Sequence, residues 1–379
     1  MEYTVCKRCV MDTTDPDIFF DENGYCNHCN RALSTLSQYP FNLSNEEKKR
    51  ELDKLVQNIK KKGKKNVYDC LVGISGGVDS SYITYLVKRL GLRPLAIHLD
   101  NLWNTKLSED NIKRVVEKEN IDLITEVVNW EEFSDLQLSF FKAGVPDIEI
   151  PSDHAIFILL YDIASKMNIK YIITGNNIIT ESILPSKWSN GHTDWKYIKK
   201  IQKKFGSKKL TTYPFFSFRK IIKYNFFQNI KMIGLLNYVD YNKEEAIRLL
   251  EKEYLYKRYE TKHGESIFTY FVQTYVLPER FGFDKRRSHY SSVICSNQMK
   301  RKEALMKLEK KPLNQEEINE LRGIVCEKLK ISEEKLDEFM SLPLKYYDDY
   351  PNMNNKLWVF LKKIYMKLFI DFSSTRAVE

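Results

Sequence analysis

The chain has 379 residues, 43% of them hydrophobic and 13% aromatic, which suits a large catalytic domain with smaller attachments and excludes a disordered chain. Its 60 basic and 51 acidic residues leave a formal charge of +9, favouring a polyanionic partner (nucleotide, nucleic acid, anionic membrane face) or simply a lysine-rich surface, because the lysines are spread along the whole length. The opening Met1-Glu2-Tyr3-Thr4-Val5-Cys6 has no apolar signal core, and the most hydrophobic late stretch, 357–372, is interrupted by Lys362, Lys363 and Lys367. A cytoplasmic protein without membrane insertion is the expectation.

Residues 1–30 read as a cysteine module: Cys6-x-x-Cys9 and, after a gap, Cys26-x-x-Cys29. That spacing fits a four-thiolate zinc ribbon or knuckle; a segment this short has too little core to fold alone, so a structural metal would supply the missing stability. A redox or iron–sulfur site is the alternative. Residues 31–65 read as a connecting helix, with Ser44 as N-cap, acids in the first turn, lysines in the last and Gly63 as stop signal.

The pattern then changes. Residues 67–74 form a short apolar run that predicts a buried strand, and Ile83, Leu86, Val87 and Leu90 fall at helical spacing before Gly91. Further strands are expected at 94–100, 121–129 and 170–175, with helices at 108–120 and 155–167 between them. This alternation predicts an α/β fold: a parallel twisted sheet with helices on both faces, spanning 66–240. Strand signals fade after about residue 180; 182–220 reads as an irregular or partly helical insertion, and 241–379 as a helical C-terminal region.

The main chemical signal is Gly73-Ile74-Ser75-Gly76-Gly77-Val78-Asp79-Ser80, at the end of a strand and the start of a helix. Gly76 and Gly77 permit a tight turn whose N–H groups, with the helix N-terminus, point at an anion. Ser75 and Ser80 add hydroxyls, and Asp79 beside bound phosphates has a sensible role in holding Mg²⁺. The pattern is not the Gly-x-x-x-x-Gly-Lys-Ser/Thr of P-loop NTPases. It matches the N-type ATP pyrophosphatase loop shared by GMP, asparagine and NAD synthetases and tRNA thiolases, which implies cleavage of ATP between the α- and β-phosphates. His98 and Asp100 at the second strand end resemble that superfamily's adenosine-side position. Gly175 and Asn176, followed by Glu181, resemble its Gly-x-Asn…Glu element lining nucleotide and Mg²⁺.

The order of the motifs is more specific than any one of them. Cys6-x-Arg-Cys-Val-Met-Asp-Thr-Thr-Asp-Pro16, Gly24-Tyr-Cys-Asn-His-Cys29, the 73–80 loop, Ile148-Glu-Ile-Pro-Ser-Asp-His154, Thr174-Gly-Asn-Asn177, Arg280-Phe-Gly-Phe-Asp-Lys-Arg-Arg287 and Arg301-Lys-Glu-Ala-Leu305 follow one another. From residue 1 to about 350 this resembles the WbpG/PseA-type N-acetyl sugar amidotransferases of bacterial surface-polysaccharide biosynthesis. The resemblance implies adenylation of an acetamido oxygen of an N-acetyl sugar, nucleotide-linked or free, followed by attack of ammonia to give an acetamidino sugar. It also implies that at least one of Lys285, Arg286 and Arg287, with Lys285 and Arg286 beside Asp79 as the catalytic candidates, reaches the phosphates, a solvated basic turn being the alternative. Position 2 is Glu and Cys70, Cys295 and Cys326 sit in no nucleophile elbow, so ammonia is expected from a separate glutaminase subunit, with a barrel-like channelling partner. His154, with Asp153 and Glu149, is either a group touching sugar or ammonia or a satisfied structural histidine. The aromatic stretch 213–219 either covers the sugar or packs as core. The competing readings are a tRNA sulfurtransferase, which usually carries Lys where this loop has Val78, and a zinc-ribbon scaffold with an inactive ATP fold.

Overall fold

The computed structural model describes residues 2–259 and 264–354. The helical expectation for 355–379, including the hydrophobic stretch 357–372, lies outside the described residues.

Five strands form one parallel sheet in the order β3-β2-β1-β4-β5: β1 (Cys70–Gly73), β2 (Pro94–Asp100), β3 (Leu123–Val127), β4 (Tyr171–Thr174) and β5 (Lys231–Gly234). Helices precede and separate them: α1 (Asn27–Leu36), α2 (Asn45–Gly63), α3 (Val78–Arg89), α4 (Lys106–Lys118), α5 (Trp130–Ala143), α6 (Ile150–Lys166), α7 (Ile178–Glu181), α8 (Trp195–Phe205) and α9 (Phe218–Ile222). Beyond the sheet come α10 (Lys243–Tyr254), α11 (Ile267–Phe271), α12 (Leu277–Phe281), α13 (Arg286–Cys295), α14 (Arg301–Glu309), α15 (Gln315–Leu329) and α16 (Glu333–Ser341).

Side chains alternate across a strand, so β1 and β4 build two cores at once. Cys70 and Val72 of β1, with Tyr171 and Ile173 of β4, pack under Ile83 and Val87 of α3 and Leu52, Val56 and Ile59 of α2. Leu71 and Ile172 face the other way, onto Ile158 and Leu160 of α6. Ser44 caps α2 in a reciprocal box with Glu47. Helix α10 adds Ala246 to the α3 face, so part of that layer is drawn from beyond residue 240. Strand β5 was not expected: Lys231-Met-Ile-Gly234 is too short and too mixed for a period-2 signal, and pairing to β4 creates it.

Crossovers run in opposite directions from β1 and from β4, and these two strands are neighbours. Their carboxyl ends therefore open a crevice at the point where strand order reverses. A third core, shared by Cys6, Cys9, Cys26 and Cys29 with Phe268, Phe271, Phe283, Cys295 and Val325, ties the first 30 residues to the helices after residue 265.

Around this frame the 207–213 segment is moored by two carboxylates of α5. Asp135 accepts from the Ser207 and Lys208 amides, and Glu132 from the Thr211, Thr212 and Tyr213 amides. Burial alone would raise the Glu132 pKa, but the Thr211 hydroxyl and these amides win and hold it down to about 2. A group depressed in the folded state stabilises fully above its unfolded value of about 4.5, and the contribution is lost as pH falls towards 2. Glu132→Gln is therefore expected to lower urea-unfolding stability by roughly 2–3 kcal/mol at pH 7, with the deficit shrinking below pH ~4.

Candidate functional site

The crevice holds a cavity of about 610 Å³. Its floor is the turn after β1: Gly73, Ile74, Ser75, Gly77, Val78, Asp79 and Ser80 all line it. The turn is wired internally. Ser75 N–H donates to Ser80 Oγ at 3.1 Å, the two serine hydroxyls lie 3.2 Å apart, and Ser80 Oγ donates to Gly77 O at 3.1 Å. Helix α3 starts at Gly77 with no side-chain cap, so its first N–H groups stay available to an anion, whereas Thr105 caps α4 and Asn129 caps α5.

Two glycines are fixed by close approach. Gly76 has φ of +80°, and a Cβ there would lie 2.6 Å from Ser108 O. A Cβ on Gly175, at the end of β4, would lie 2.9 Å from the Asp79 carbonyl carbon and 3.0 Å from Ser80 N. The backbone after β4 thus presses directly on the first turn of α3. Asp79 itself accepts from the Tyr241 hydroxyl.

At the β2 end, His98 lines the cavity with both ring nitrogens engaged: Nδ1 lies 2.9 Å from Ile74 O and Nε2 2.9 Å from Asn104 Nδ2. The matching tautomer is neutral, with Nδ1–H donating to the carbonyl. Asp100 does not line the cavity. Its Oδ1 accepts from Leu102 N–H at 2.8 Å and Asn104 Nδ2 at 3.0 Å, closing the turn in which Leu102 has φ of +65°. The residue beside it, Asn101, faces the cavity instead. Gly175, Asn176 and Glu181 all line it, while Gly76 forms the bend without lining it.

Of the 285–287 cluster, Lys285 alone lines the cavity. Its ammonium lies 3.2 Å from Glu149, whose carboxylate also accepts from Gln273 at 3.0 Å; both members of the ion pair are largely buried. Arg286 is turned away onto Asp284 and the Lys310 carbonyl, because a one-residue step along a helix start rotates the side chain by about 100°. Arg287 binds Asp12 at 2.8 Å and the Val10 carbonyl at 2.8 Å, docking the cysteine module. His154 is structural: Nδ1 lies 2.7 Å from His192 O, Nε2 accepts from Phe216 N–H, and burial holds its pKa down to about 4. Tyr213 and Phe216 are buried against it rather than covering the cavity. Sequence reading passed over Gln273, Lys243, Arg258, Glu265 and Tyr259, which also line the cavity; they come from segments without a motif, brought in by the chain's return over the loop.

The cysteine thiols lie within 4.8 Å of one another, with Cys6–Cys29 at 3.8 Å and Cys9–Cys26 at 3.5 Å, and form no disulfide. Four sulfurs ~2.3 Å from a central ion would be about 3.8 Å apart in a tetrahedron, so the donor set fits zinc. Amides of Arg8, Cys9 and Cys26 approach Cys6 Sγ at 3.2–3.5 Å, as thiolates require. Arg301 clamps the knuckle from outside by donating to the Cys6 and Cys9 carbonyls at 2.8 and 2.9 Å.

Gly175→Ala, forcing a methyl against the Asp79–Ser80 backbone, is expected to cost roughly 1–3 kcal/mol in thermal or urea unfolding. It should also weaken binding of pyrophosphate in calorimetry, since the loop must shift to admit it.

Residues 265–365 match the model of the C-terminal domain of WbpG-like LPS biosynthesis proteins. The tRNA-specific 2-thiouridylase MnmA 2 of Fusobacterium nucleatum is 37% identical over 117 residues, 28% of this chain and 33% of that protein. The chain thus spans about a third of the length of this curated relative. Among solved structures, NMN synthetase from Francisella tularensis aligns with 80% of this chain and 98% of its own at 13% identity and a TM-score of 0.31. The tRNA thiolase NcsA from Methanococcus maripaludis aligns over 83% and 91% at 16% identity and 0.33. These structural likenesses are too low to carry fold or chemistry. Over residues 265–365 the chain is thus similar to the C-terminal domain of WbpG-like LPS biosynthesis proteins.

Proposed function

We propose that this protein is the synthase subunit of an ATP-dependent amidotransferase that converts the acetamido group of an N-acetyl sugar into an acetamidino group. The observation that carries the reading is that the WbpG-like segment supplies Gln273, Lys285 and Lys307 to the cavity floored by the 75–80 turn. In this reading the turn and the start of α3 grip the departing pyrophosphate. Asp79 and Glu181 would hold Mg²⁺, which would supply charge neutralisation beside the phosphates. The amide oxygen attacks the α-phosphorus, the bond to the β-phosphate oxygen breaks, and an O-adenylyl imidate forms. Ammonia then adds to the imidate carbon and loses a proton, and AMP leaves with the former amide oxygen. The chain's own contribution is positioning and charge stabilisation. In this reading Lys285, held by Glu149, meets the developing phosphate charge.

A second reading, sulfur transfer to tRNA, is supported by the 37% match to a tRNA thiouridylase. The cavity argues against it: among the described residues no cysteine lines it. Burial also raises the Cys70 and Cys295 thiols, Cys295 to about 12, so neither is a ready thiolate. The same lack of a placed thiol supports a separate glutaminase subunit as the ammonia source, with a barrel-like channelling subunit as a further proposed partner. Among the described residues no helix is long and apolar enough to cross a membrane, and a cytoplasmic location is part of the proposal.

Incubated with ATP, Mg²⁺, ammonium and a panel of N-acetylated UDP- or CMP-sugars, the chain is expected to release AMP and shift one sugar by the mass of NH replacing O. Glutamine alone should not serve. ADP with orthophosphate, or sulfur added to tRNA, would refute the reading. Asp79→Asn should lower AMP release by roughly 10²–10³-fold if it holds the metal beside the phosphates. We also propose structural zinc in the cysteine module. Elemental analysis is expected to find zinc stoichiometric with the chain, and Cys26→Ser should lose it together with thermal stability.

A further inference from the structure

The segment following α10 crosses back over the phosphate turn. Tyr256 and Tyr259, three residues apart, both donate their hydroxyls to one acceptor, the Gly76 carbonyl, at 3.0 and 3.1 Å. Tyr256 is buried, and Tyr259 is held in turn by Asn111 Nδ2 at 3.3 Å. Past residue 263, Thr105 N–H donates to Glu265 O at 3.0 Å and Ile267 N–H to Trp103 O at 2.9 Å.

The Gly76 carbonyl and the Gly77 N–H belong to the same peptide unit, and in a planar trans peptide they point in opposite directions. Whatever fixes the carbonyl therefore aims the amide. Gly76 does not line the cavity, Gly77 does, and the Gly77 N–H is directed towards the cavity-lining Ser75 Oγ at 3.4 Å. A peptide between two glycines meets little steric resistance to turning over, because neither residue has a Cβ to oppose it. Turned over, it would present a carbonyl oxygen to the anion and repel it. Two phenol donors on the carbonyl side of the peptide make that inversion costly, since both would lose their acceptor.

We propose that Tyr256 and Tyr259 are positioning residues that lock the Gly76–Gly77 peptide in the sense that presents the Gly77 N–H to the pyrophosphate portion of a bound nucleotide. This rests on the nucleotide reading above. It assigns the post-sheet segment a part in building the anion site rather than merely covering it.

Because two donors serve one acceptor, the pair is redundant, and removal should be non-additive. Isothermal titration with inorganic pyrophosphate and Mg²⁺, and separately with Mg·ATP, tests it. Tyr256→Phe and Tyr259→Phe are each expected to weaken binding by only about 2–3-fold, and the double variant by about 10-fold or more. A side chain with only a packing role would give singles whose effects simply multiply. Protein labelled with ¹⁵N-glycine supplies a readout independent of affinity and of the double variant's folding. In Tyr259→Phe, whose ring is partly exposed, the Gly77 amide resonance should shift or broaden before any ligand is added, reporting a peptide that samples both senses. Unaltered affinity in a folded double variant, multiplicative singles, or an unchanged Gly77 resonance in Tyr259→Phe overturns the proposal. Failure of the unaltered protein to bind either pyrophosphate or Mg·ATP instead refutes the nucleotide reading beneath it.

Discussion

Contact between the backbone after β4 and the first turn of α3 is the constraint on which the site depends. With Gly175 about as close to Asp79 and Ser80 as a Cβ-less residue can come, the ends of two neighbouring strands and the start of one helix form a single rigid corner. The cavity opens from that corner. Its polar floor comes from the β1 turn, one wall from His98 in β2 and Asn101 just after it, another from Asn176 and Glu181 after β4. Hydrophobic burial on both faces of β1 and β4 holds the corner, because these strands lie inside the sheet and their apolar side chains are consumed on each side.

The C-terminal helices finish what the sheet begins. Helix α13 is gripped by the cysteine module through Ser291 and Arg287, and by the α7 region through Ser292, which accepts from Ile183 N–H at 3.1 Å. Lys285 stands at the N-terminus of that helix and Glu181 at the end of α7. The sulfur cluster thus lies far from the chemistry in sequence, yet it supports the helix that presents a cavity-lining cation.

The sheet and the turn after β1 were largely legible because β1, β2 and β4 are apolar runs with helix-period stretches between them, and because Ser75-Gly-Gly-Val-Asp-Ser80 packs two glycines and two serines between a strand and a helix. Strand β5 was not legible, since its four residues acquire extended form only by pairing with β4. Within the site, local pattern located stretches but not directions. Asp100 and Asn101 are adjacent, and a left-handed residue at Leu102 decides that the amide, not the acid, faces the cavity. Lys285, Arg286 and Arg287 look equivalent as a basic run, yet a helix start sends them to three different partners. Tyr256, Tyr259 and Tyr241 carried no signal at all, because tyrosines are frequent in this chain and their hydroxyls find the turn only through tertiary packing.

The docking of the cysteine module spans most of the chain: Val10 pairs with Ser291 across 281 positions, and Cys6 with Arg301 across 295. A ribosome makes the first partner early and the second late. At ~5–20 residues per second the wait is on the order of 15–55 s, during which Val10 and Met11, fully buried in the finished protein, lack the helices after residue 265. A knuckle closed by metal would be compact on its own throughout that interval, so its thiolates would protect the nascent chain before they steady the mature one.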